Sequence, residues 1–215
     1  MTIRANNLGV MFDSKWVFRS FDFELNDGQR KALVGPSGSG KSVLLKSLAL
    51  LIGTDEGSVQ FDSREVEPHE VPAFRSKVMY VPQRIADSDG SVEDYFREPF
   101  RLVVHQDKNW NSEFAVEQLA TFGRDKEFLQ KRQRDLSGGE RQFVALIRTL
   151  MLEPATLLLD EPTSAMDGEN ARRAESLLQG WIHGSSSSSY VWVTHDFDQA
   201  QRVSDEVVRM DSSEK

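Results

Sequence analysis

One segment of the chain combines glycines with a lysine and a serine at a spacing that binds phosphate. Residues 35–42 read Gly-Pro-Ser-Gly-Ser-Gly-Lys-Ser and follow a short apolar run at 30–34. Glycines let the backbone curl and turn its N–H groups inward, so the segment predicts an anion cradle at the start of a helix. In such a loop Lys41 reaches the β- and γ-phosphates and Ser42 ligates Mg²⁺. An ordinary Gly/Ser turn is the alternative, and the flanking strand and helix disfavour it.

Two adjacent carboxylates end an apolar run farther along the chain. Residues 156–159 read Thr-Leu-Leu-Leu, and Asp160, Glu161 and Pro162 follow. A hydrophobic strand delivers such groups to the edge of a parallel sheet, where ligands bind. We predict that Asp160 holds the hydration shell of Mg²⁺ and that Glu161 orients or polarises the water that attacks a phosphoryl group. A strand followed by a plain Asp-Glu-Pro turn is the alternative, which the phosphate loop upstream disfavours.

Ser137, Gly138 and Gly139 form a second candidate anion-binding surface, immediately before a predicted helix that starts near Glu140. Serine is a preferred N-cap residue, and the two glycines leave backbone N–H groups accessible. The helix dipole adds about half a positive charge at this end. Taken alone, a plain helix cap is the better explanation of these three residues.

The hydrophobic pattern predicts the strands and helices that must position these segments. Strands are predicted at 3–12, 16–25, 30–34, 58–61, 78–81, 157–159, 190–194 and 206–210. Helices are predicted at 41–51, 113–122, 140–152, 168–183 and 197–203, with helical character also at 92–104 and 126–132. Alternating strands and helices imply a mainly parallel sheet, and the first two strands suggest an antiparallel edge. The predicted fold class is therefore α/β.

The composition is that of a globular domain without a basic surface. The chain has 215 residues, of which 39% are hydrophobic and 28% charged, with a formal net charge of −8. This balance disfavours a general affinity for nucleic acid. The absence of cysteine excludes disulfides and thiolate metal sites. The first ten residues lack a signal-peptide pattern, and the most apolar stretch, 43–52, is too short to span a bilayer, so we expect any membrane role to need a partner.

The order of these motifs, with Leu136-Ser137-Gly138-Gly139-Glu140 between the phosphate loop and the carboxylates, resembles the ATPase subunits of ATP-binding-cassette (ABC) transporters. The resemblance covers about residues 1–210: residues 81–83 resemble the Q-loop, 164–167 the D-loop and 193–196 the H-loop. Phe12 lies where the family has an aromatic residue that stacks on adenine, with Trp16 a nearby competitor. Three residues depart from the common pattern, namely Val43 for Thr, Phe143 for Arg and Met166 for Leu. The Val43 change should be tolerated because Ser42 is the expected metal ligand, and the Phe143 change removes no expected phosphate ligand.

The resemblance implies a P-loop NTPase (RecA-like) core that binds ATP and Mg²⁺. The expected ATP-binding residues are Phe12, Gly35, Pro36, Ser37, Gly38, Ser39, Gly40, Lys41, Ser42, Val43, Ser137, Gly138, Gly139 and Asp167. The expected catalytic residues are Lys41, Gln83, Glu161 and His195, and the expected metal ligands are Ser42, Gln83 and Asp160. In the family, the Ser-Gly-Gly segment of one subunit closes on the γ-phosphate held by the other, which implies a homodimer with two equivalent sites.

The resemblance also implies a domain division and a membrane partner. We expect a nucleotide-binding core with an antiparallel β subdomain at 1–83 and 152–215, and an inserted helical subdomain at 84–151. The partner is an integral membrane permease, which places the chain on the cytoplasmic face of the inner (plasma) membrane. In the family the region after the Q-loop docks a helix of the permease; Phe96, Phe100 and Trp110 are candidates for that groove, with core packing of the helical lobe an equal alternative.

Several functional assignments stay open at this stage. Segments 80–83, 90–95 and 98–100 resemble the FetA-type ATPases of bacterial metal (iron) exporters, although similar segments occur in phosphate and amino-acid importers. A non-transport ABC ATPase acting on DNA or ribosomes is the second hypothesis, which the acidic charge and the lack of a coiled-coil insertion or second cassette disfavour. A binding module without turnover is the third, disfavoured because Lys41, Asp160, Glu161 and His195 are all present.

Overall fold

The computed structural model describes residues 1–86, 88–185 and 187–211, and two β-sheets organise them. The strands are β1 (Ile3–Phe12), β2 (Lys15–Leu25), β3 (Arg30–Val34), β4 (Glu56–Phe61), β5 (Arg64–Glu65), β6 (Val78–Val81), β7 (Thr156–Asp160), β8 (Ser189–Val193) and β9 (Glu206–Arg209). The helices are α1 (Lys41–Leu48), α2 (Val71–Lys77), α3 (Val92–Arg97), α4 (Ser112–Thr121), α5 (Gly138–Leu150), α6 (Gly168–His183) and α7 (Phe197–Val203).

The central sheet is parallel and has the strand order β6-β7-β8-β3-β9. Every residue of β7 and β8 is buried, which explains their continuous apolar sequences, because a strand covered on both faces has no polar side to alternate with. The carboxyl ends of β3, β6, β7 and β8 meet at one edge of this sheet, since their registers run in parallel. The loops that follow these four strands are therefore neighbours, and they carry the predicted site residues.

The second sheet is antiparallel, with the order β2-β1-β4-β5, and it confirms the predicted antiparallel element. Its inner side chains, among them Ile3 and Phe18, share one core with Leu44 of α1 and with Val193 of the central sheet. The antiparallel sheet is therefore packed onto the helix that follows the phosphate loop.

A second core joins the helical region to the central sheet, and it contains Leu119, Phe143, Leu159 and Trp192. Phe143 stacks on Phe122 with ring centroids 4.5 Å apart. This packing buries Phe143, one of the three residues that depart from the common pattern. Helix α5 contacts β6 as well as α3 and α4, and the predicted domain boundaries at 83/84 and 151/152 stay predictions.

The structure corrects three of the predicted elements. The helix predicted at 41–51 ends at Leu48, because Leu50 adopts φ +55° and the N–H of Leu51 turns back to the Lys46 carbonyl. The segments 92–104 and 126–132 do not continue as helices but break into short 3₁₀ turns at 98–101, 103–105 and 126–130. Strand β5 and helix α2 were not predicted. Within the described ranges, no helix is long and apolar enough to cross a bilayer.

Of the two alternatives for Phe96, Phe100 and Trp110, the structure favours core packing of the helical lobe. Phe96 is 0% exposed, and Phe100 and Trp110 pack against the same core. The ring of Trp110 lies 6.1 Å from that of Phe96 and 6.3 Å from that of Phe100. These three rings form an aromatic cluster in which Phe96 is fully buried and Phe100 and Trp110 are partly buried, as the alternative of core packing predicted.

Candidate active site

The phosphate loop connects the end of β3 to the start of α1, as the sequence predicts. Gly40 is the N-cap of α1 with φ +97°, and a Cβ there would lie 2.8 Å from the Val17 side chain, so a larger residue would be strained. The Lys41 ammonium donates to the carbonyl oxygens of Gly35 at 2.9 Å and Pro36 at 2.8 Å, and so arches over the loop. Burial lowers the pKa of Lys41, and the nearby carboxylates of Glu161 and Asp160 oppose that shift.

Asp160 lies buried at the end of β7, between two hydroxyl groups. Ser42 Oγ donates to its Oδ1 at 3.0 Å, and Tyr80 donates to its Oδ2 at 2.8 Å. Burial, with Asp160 beside it, raises the pKa of Tyr80 well above its usual range, which keeps this phenol protonated as a donor. Tyr80 was missed by the sequence analysis, because an aromatic residue in an apolar strand looks like core.

The oxygen donors at this point fit a magnesium ion. Ser42 supplies one hydroxyl and Asp160 one carboxylate. Across the described ranges, no group of three or more His, Cys, Asp or Glu side chains could hold a metal ion without other ligands. Mg²⁺ commonly binds through one or two carboxylates together with substrate phosphates and waters, and does not require an all-protein cage. Gln83, the third predicted ligand, contacts Glu161 through its side chain.

Glu161 has an unusual backbone and two side-chain partners. Its φ of +48° is in the left-handed region, which for a non-glycine residue costs about 1–3 kcal/mol and is typical of functional sites. Gln83 Nε2 donates to Oε2 at 2.5 Å, and His195 Nε2 contacts Oε1. Three side chains that were predicted to be catalytic, from the loops after β6, β7 and β8, are therefore in contact. The Glu161 carboxylate lies between Gln83 and His195.

The Ser137–Gly139 segment begins α5 and is mostly exposed. Ser137 Oγ accepts from the Glu140 N–H at 3.2 Å, and Glu140 Oε2 accepts from the Ser137 N–H at 2.8 Å, which is a capping box. Lys131 and Arg124 hold the Glu140 carboxylate at 3.0 and 3.3 Å. The predicted helix cap is thus real, and it leaves the N–H groups of Gly138 and Gly139 without partners inside the helix.

Asp167 and the two aromatic candidates for adenine stacking are the remaining predicted residues. Asp167 caps α6, accepting from the Asn170 N–H at 2.8 Å, and this hydrogen bond lowers the pKa of Asp167. Phe12, at the end of β1, is 53% exposed. Trp16 packs beneath the Arg19 guanidinium, 4.7 Å from its ring centroid, and close over Gly9. Of the two aromatic candidates, Phe12 has the more accessible ring.

Comparisons with known proteins identify the family. The family model described as "ABC transporter" matches residues 18–164. The "Probable iron export ATP-binding protein FetA" of Escherichia coli strain K12 is 30% identical over 208 residues, which is 97% of this chain and 90% of that protein. The "Putative ABC transporter ATP-binding protein YjkB" of Bacillus subtilis strain 168 is 37% identical over 185 residues, covering 86% of this chain and 71% of that protein.

Importer subunits match as well. The "Sulfate/thiosulfate import ATP-binding protein CysA" of Pseudomonas putida is 32% identical over 98% of this chain and 64% of its own length. Among solved structures, a dimeric post-hydrolysis state of the ATP-binding cassette MJ0796 bound to ADP and Pi shares the fold, with a TM-score of 0.84 at 22% identity over 99% of this chain and 97% of that one. The chain therefore belongs to the ABC transporter family and is an ATP-binding ATPase subunit of that family.

Proposed function

We propose that two copies of this chain enclose two ATP molecules between them and hydrolyse ATP to power a separate membrane permease. The observation that carries this proposal is the meeting of Gln83, Glu161 and His195 beside the phosphate loop, while Gly138 and Gly139 present N–H groups that have no partner inside helix α5. One chain thus has the parts of a hydrolytic site and, separately, an anion-binding surface that completes the site of a second copy.

Each residue that one chain contributes to its own phosphate site has a defined task in this proposal. Lys41 and the N–H groups at the start of α1 bind the β- and γ-phosphates, and Ser42 with Asp160 holds Mg²⁺. Bound Mg²⁺ neutralises charge that develops on the phosphate oxygens. Tyr80 fixes the Asp160 carboxylate through its second oxygen.

Glu161 polarises the attacking water, and Gln83 and His195 hold its carboxylate. Gln83 and His195 each contact one carboxylate oxygen, and because a carboxylate has about four lone-pair sites, it can still accept a hydrogen bond from water. When ATP and Mg²⁺ are bound, His195 would contact the γ-phosphate, and Gln83 would contact Mg²⁺ and the water. Asp167, in the loop after β7, also contacts the ATP, and Phe12 stacks on the adenine.

The second copy supplies what one chain lacks. The N–H groups of Gly138 and Gly139, with the positive end of the α5 dipole, suit a phosphate oxygen. Because two distinct surfaces pair head to tail about a twofold axis, two equivalent sites result.

We expect the hydrolysis rate per chain to rise with chain concentration, because a second copy completes each site. Phosphate release from ATP and Mg²⁺ by the purified chain, measured over a wide concentration range, tests this. A rate per chain that stays constant down to concentrations at which the chain is monomeric would contradict the shared site, and no phosphate release at any concentration would contradict the function.

An open groove of about 460 Å³ is the proposed docking site for the permease. It lies beside the segment after β6, and its lining includes Leu51, Ile85, Tyr95, Leu102 and His105. Leu102 is 56% exposed and its neighbour Val103 also faces outward. Exposed apolar side chains around a concave surface favour an apolar helical partner.

We expect Leu102→Asp to leave basal ATP hydrolysis unchanged and to abolish its stimulation by the permease. The substitution places a charge on the apolar rim and touches none of the proposed catalytic residues. The measurement is ATPase activity and transport of the reconstituted complex. Ala120→Asp, on the exposed face of α4, is the control for an added charge and should retain coupling. Normal coupling with Leu102→Asp would remove this groove from the proposal.

Metal export is the narrower proposal for the cargo. It is supported by the match to an iron-export protein over nearly the whole of both chains. The permease would hold this subunit on the cytoplasmic face of the membrane. Stimulation of the complex by ferrous iron supports export of metal, and stimulation by sulfate with its binding protein supports import.

A further inference from the structure

Gln142 is a buried amide on the otherwise apolar face of α5, and it links three segments of the site. It is 3% exposed. Its Nε2 lies within hydrogen-bond distance of the carbonyl oxygens of Gln83 at 3.2 Å and Glu161 at 3.3 Å, and of Ser164 Oγ at 3.2 Å. Its Oε1 accepts from the Ala165 N–H at 2.9 Å. One side chain therefore ties α5 to the loop after β6 and to two points of the loop after β7.

The same loop is packed against the glycines at the start of α5. A Cβ added to Gly139 would lie 2.9 Å from the Ala165 carbonyl oxygen and 3.3 Å from Met166 Cα. A Cβ on Gly138 would lie 3.2 Å from the Ala165 Cβ. The anion-binding end of α5 and the loop that starts at Glu161 are thus in direct contact, with Gln142 bonding them together one turn farther along.

Glu161 needs such support because of its backbone. Its left-handed φ of +48° persists only when surrounding contacts determine it. The Glu161 N–H donates to the Val193 carbonyl at 3.2 Å, and the Glu161 carbonyl accepts from Gln142 and from the Ser164 N–H. Of these three contacts to the Glu161 backbone, only the one from Gln142 is made by a side chain, because backbone groups make the other two.

We propose that Gln142 is a positioning residue that holds Glu161 in its hydrolytic geometry and ties it to the Ser137–Gly139 surface. In the proposed dimer, on which this inference rests, Glu161 and Ser137 of one chain belong to different sites. Gln142 then couples the two sites within each chain: a phosphate seated on the start of α5 fixes the loop that carries the Glu161 of the other site.

Three variants test the role of Gln142. Gln142→Met keeps the volume and removes every hydrogen bond of the side-chain amide; we expect kcat to fall by about 10- to 100-fold, because small misplacements of a catalytic group have effects of this size. The ATP affinity of the monomer and the KM should be unchanged, since Gln142 is not expected to contact ATP. The matched control is Gln133→Met, at a second glutamine that is also 3% exposed and whose hydrogen bond is to Ser88, and it should retain kcat.

Gln142→Glu gives a readout that a purely structural role does not predict. At neutral pH the carboxylate still accepts from the Ala165 N–H but cannot donate to the Gln83 and Glu161 carbonyls. When it is protonated at lower pH it becomes a donor again. We therefore expect the ratio of its kcat to the wild-type kcat to rise as pH falls.

The outcomes separate this inference from the proposed function. Wild-type kcat in a folded Gln142→Met variant would overturn the inference, as would a loss confined to thermal stability with kcat retained. If the Met variant does not fold, a pH-independent kcat ratio for Gln142→Glu would overturn it. Wild-type chain that releases no phosphate would contradict the proposed function itself.

Discussion

Replacing Glu161 with glutamine will lower ATP turnover by about 10²- to 10⁴-fold, the range expected on losing a group that polarises or deprotonates the attacking water. Glutamine has the same size, so the loop after β7 and the phosphate loop should keep their positions. ATP and Mg²⁺ should still bind through Lys41, Ser42 and Asp160. Because closure no longer ends in hydrolysis, we expect an ATP-bound dimer to accumulate. Phosphate release, ATP titration and size-exclusion chromatography measure these three effects.

Glu153→Gln is the matched control for this experiment. Glu153 is an exposed glutamate whose partner is Lys108 at 3.4 Å. It also has a positive φ of +47°, so the two substitutions are similar in chemistry and in backbone setting. The Glu153→Gln variant should keep wild-type turnover and should not accumulate as an ATP-bound dimer. Wild-type turnover in Glu161→Gln would instead remove Glu161 from the catalytic role.

Ser137→Arg will block dimer closure and hydrolysis while ATP binding to the monomer is retained. The side chain of Ser137 is exposed at the start of α5, where the γ-phosphate of the other copy is proposed to dock. Arginine fills that surface, and the lost cap costs only about 1 kcal/mol, so the variant should fold. ATP titration of the dilute chain, ATP-dependent dimerisation and phosphate release are the three measurements.

Ser91→Arg controls for the lost helix cap. Ser91 forms the same capping box on α3, with its Oγ accepting from the Asp94 N–H at 3.1 Å and its N–H donating to Asp94 at 2.9 Å. It should lose similar stability, yet the isolated chain should keep its basal hydrolysis. Equal loss of hydrolysis in both variants would mean that capping, and not a role in the second site, explains the effect of Ser137→Arg.

The family was recognisable from the order of its sequence motifs, and the position of the candidate site was predictable for a topological reason. The carboxyl ends of parallel strands meet at one sheet edge, so motifs that follow predicted strands must be neighbours. The contacts of Gln83 and His195 with one carboxylate were not predictable, because they depend on side-chain directions in loops. Tyr80 and Gln142 were missed because a single polar group in an apolar pattern resembles an ordinary core position.

The sequence left two alternatives for Phe96, Phe100 and Trp110, a permease groove and core packing, for a similar reason. Phe96, Phe100 and Trp110 are apolar residues of a helical region, and their sequence does not reveal which side of each helix is covered. The 3₁₀ turns at 98–101 and 103–105 redirect the chain after α3, and Leu102 faces outward while the three rings pack against the core. Hydrophobic periodicity reports burial only when a helix is regular, and this segment is not.

The central claim is that each site is shared between two copies, and mixing two inactive chains tests it most directly. A Ser137→Arg chain keeps its own Lys41 and Glu161, and a Lys41→Ala chain keeps its own Ser137. Their heterodimer contains one complete site, whereas either chain alone contains none. We predict that the mixture hydrolyses ATP well above the sum of the two chains measured separately, and that a chain carrying both substitutions gives no such gain when mixed with either single variant. Turnover of the mixture equal to that sum at every ratio, with heterodimers present, would contradict the account.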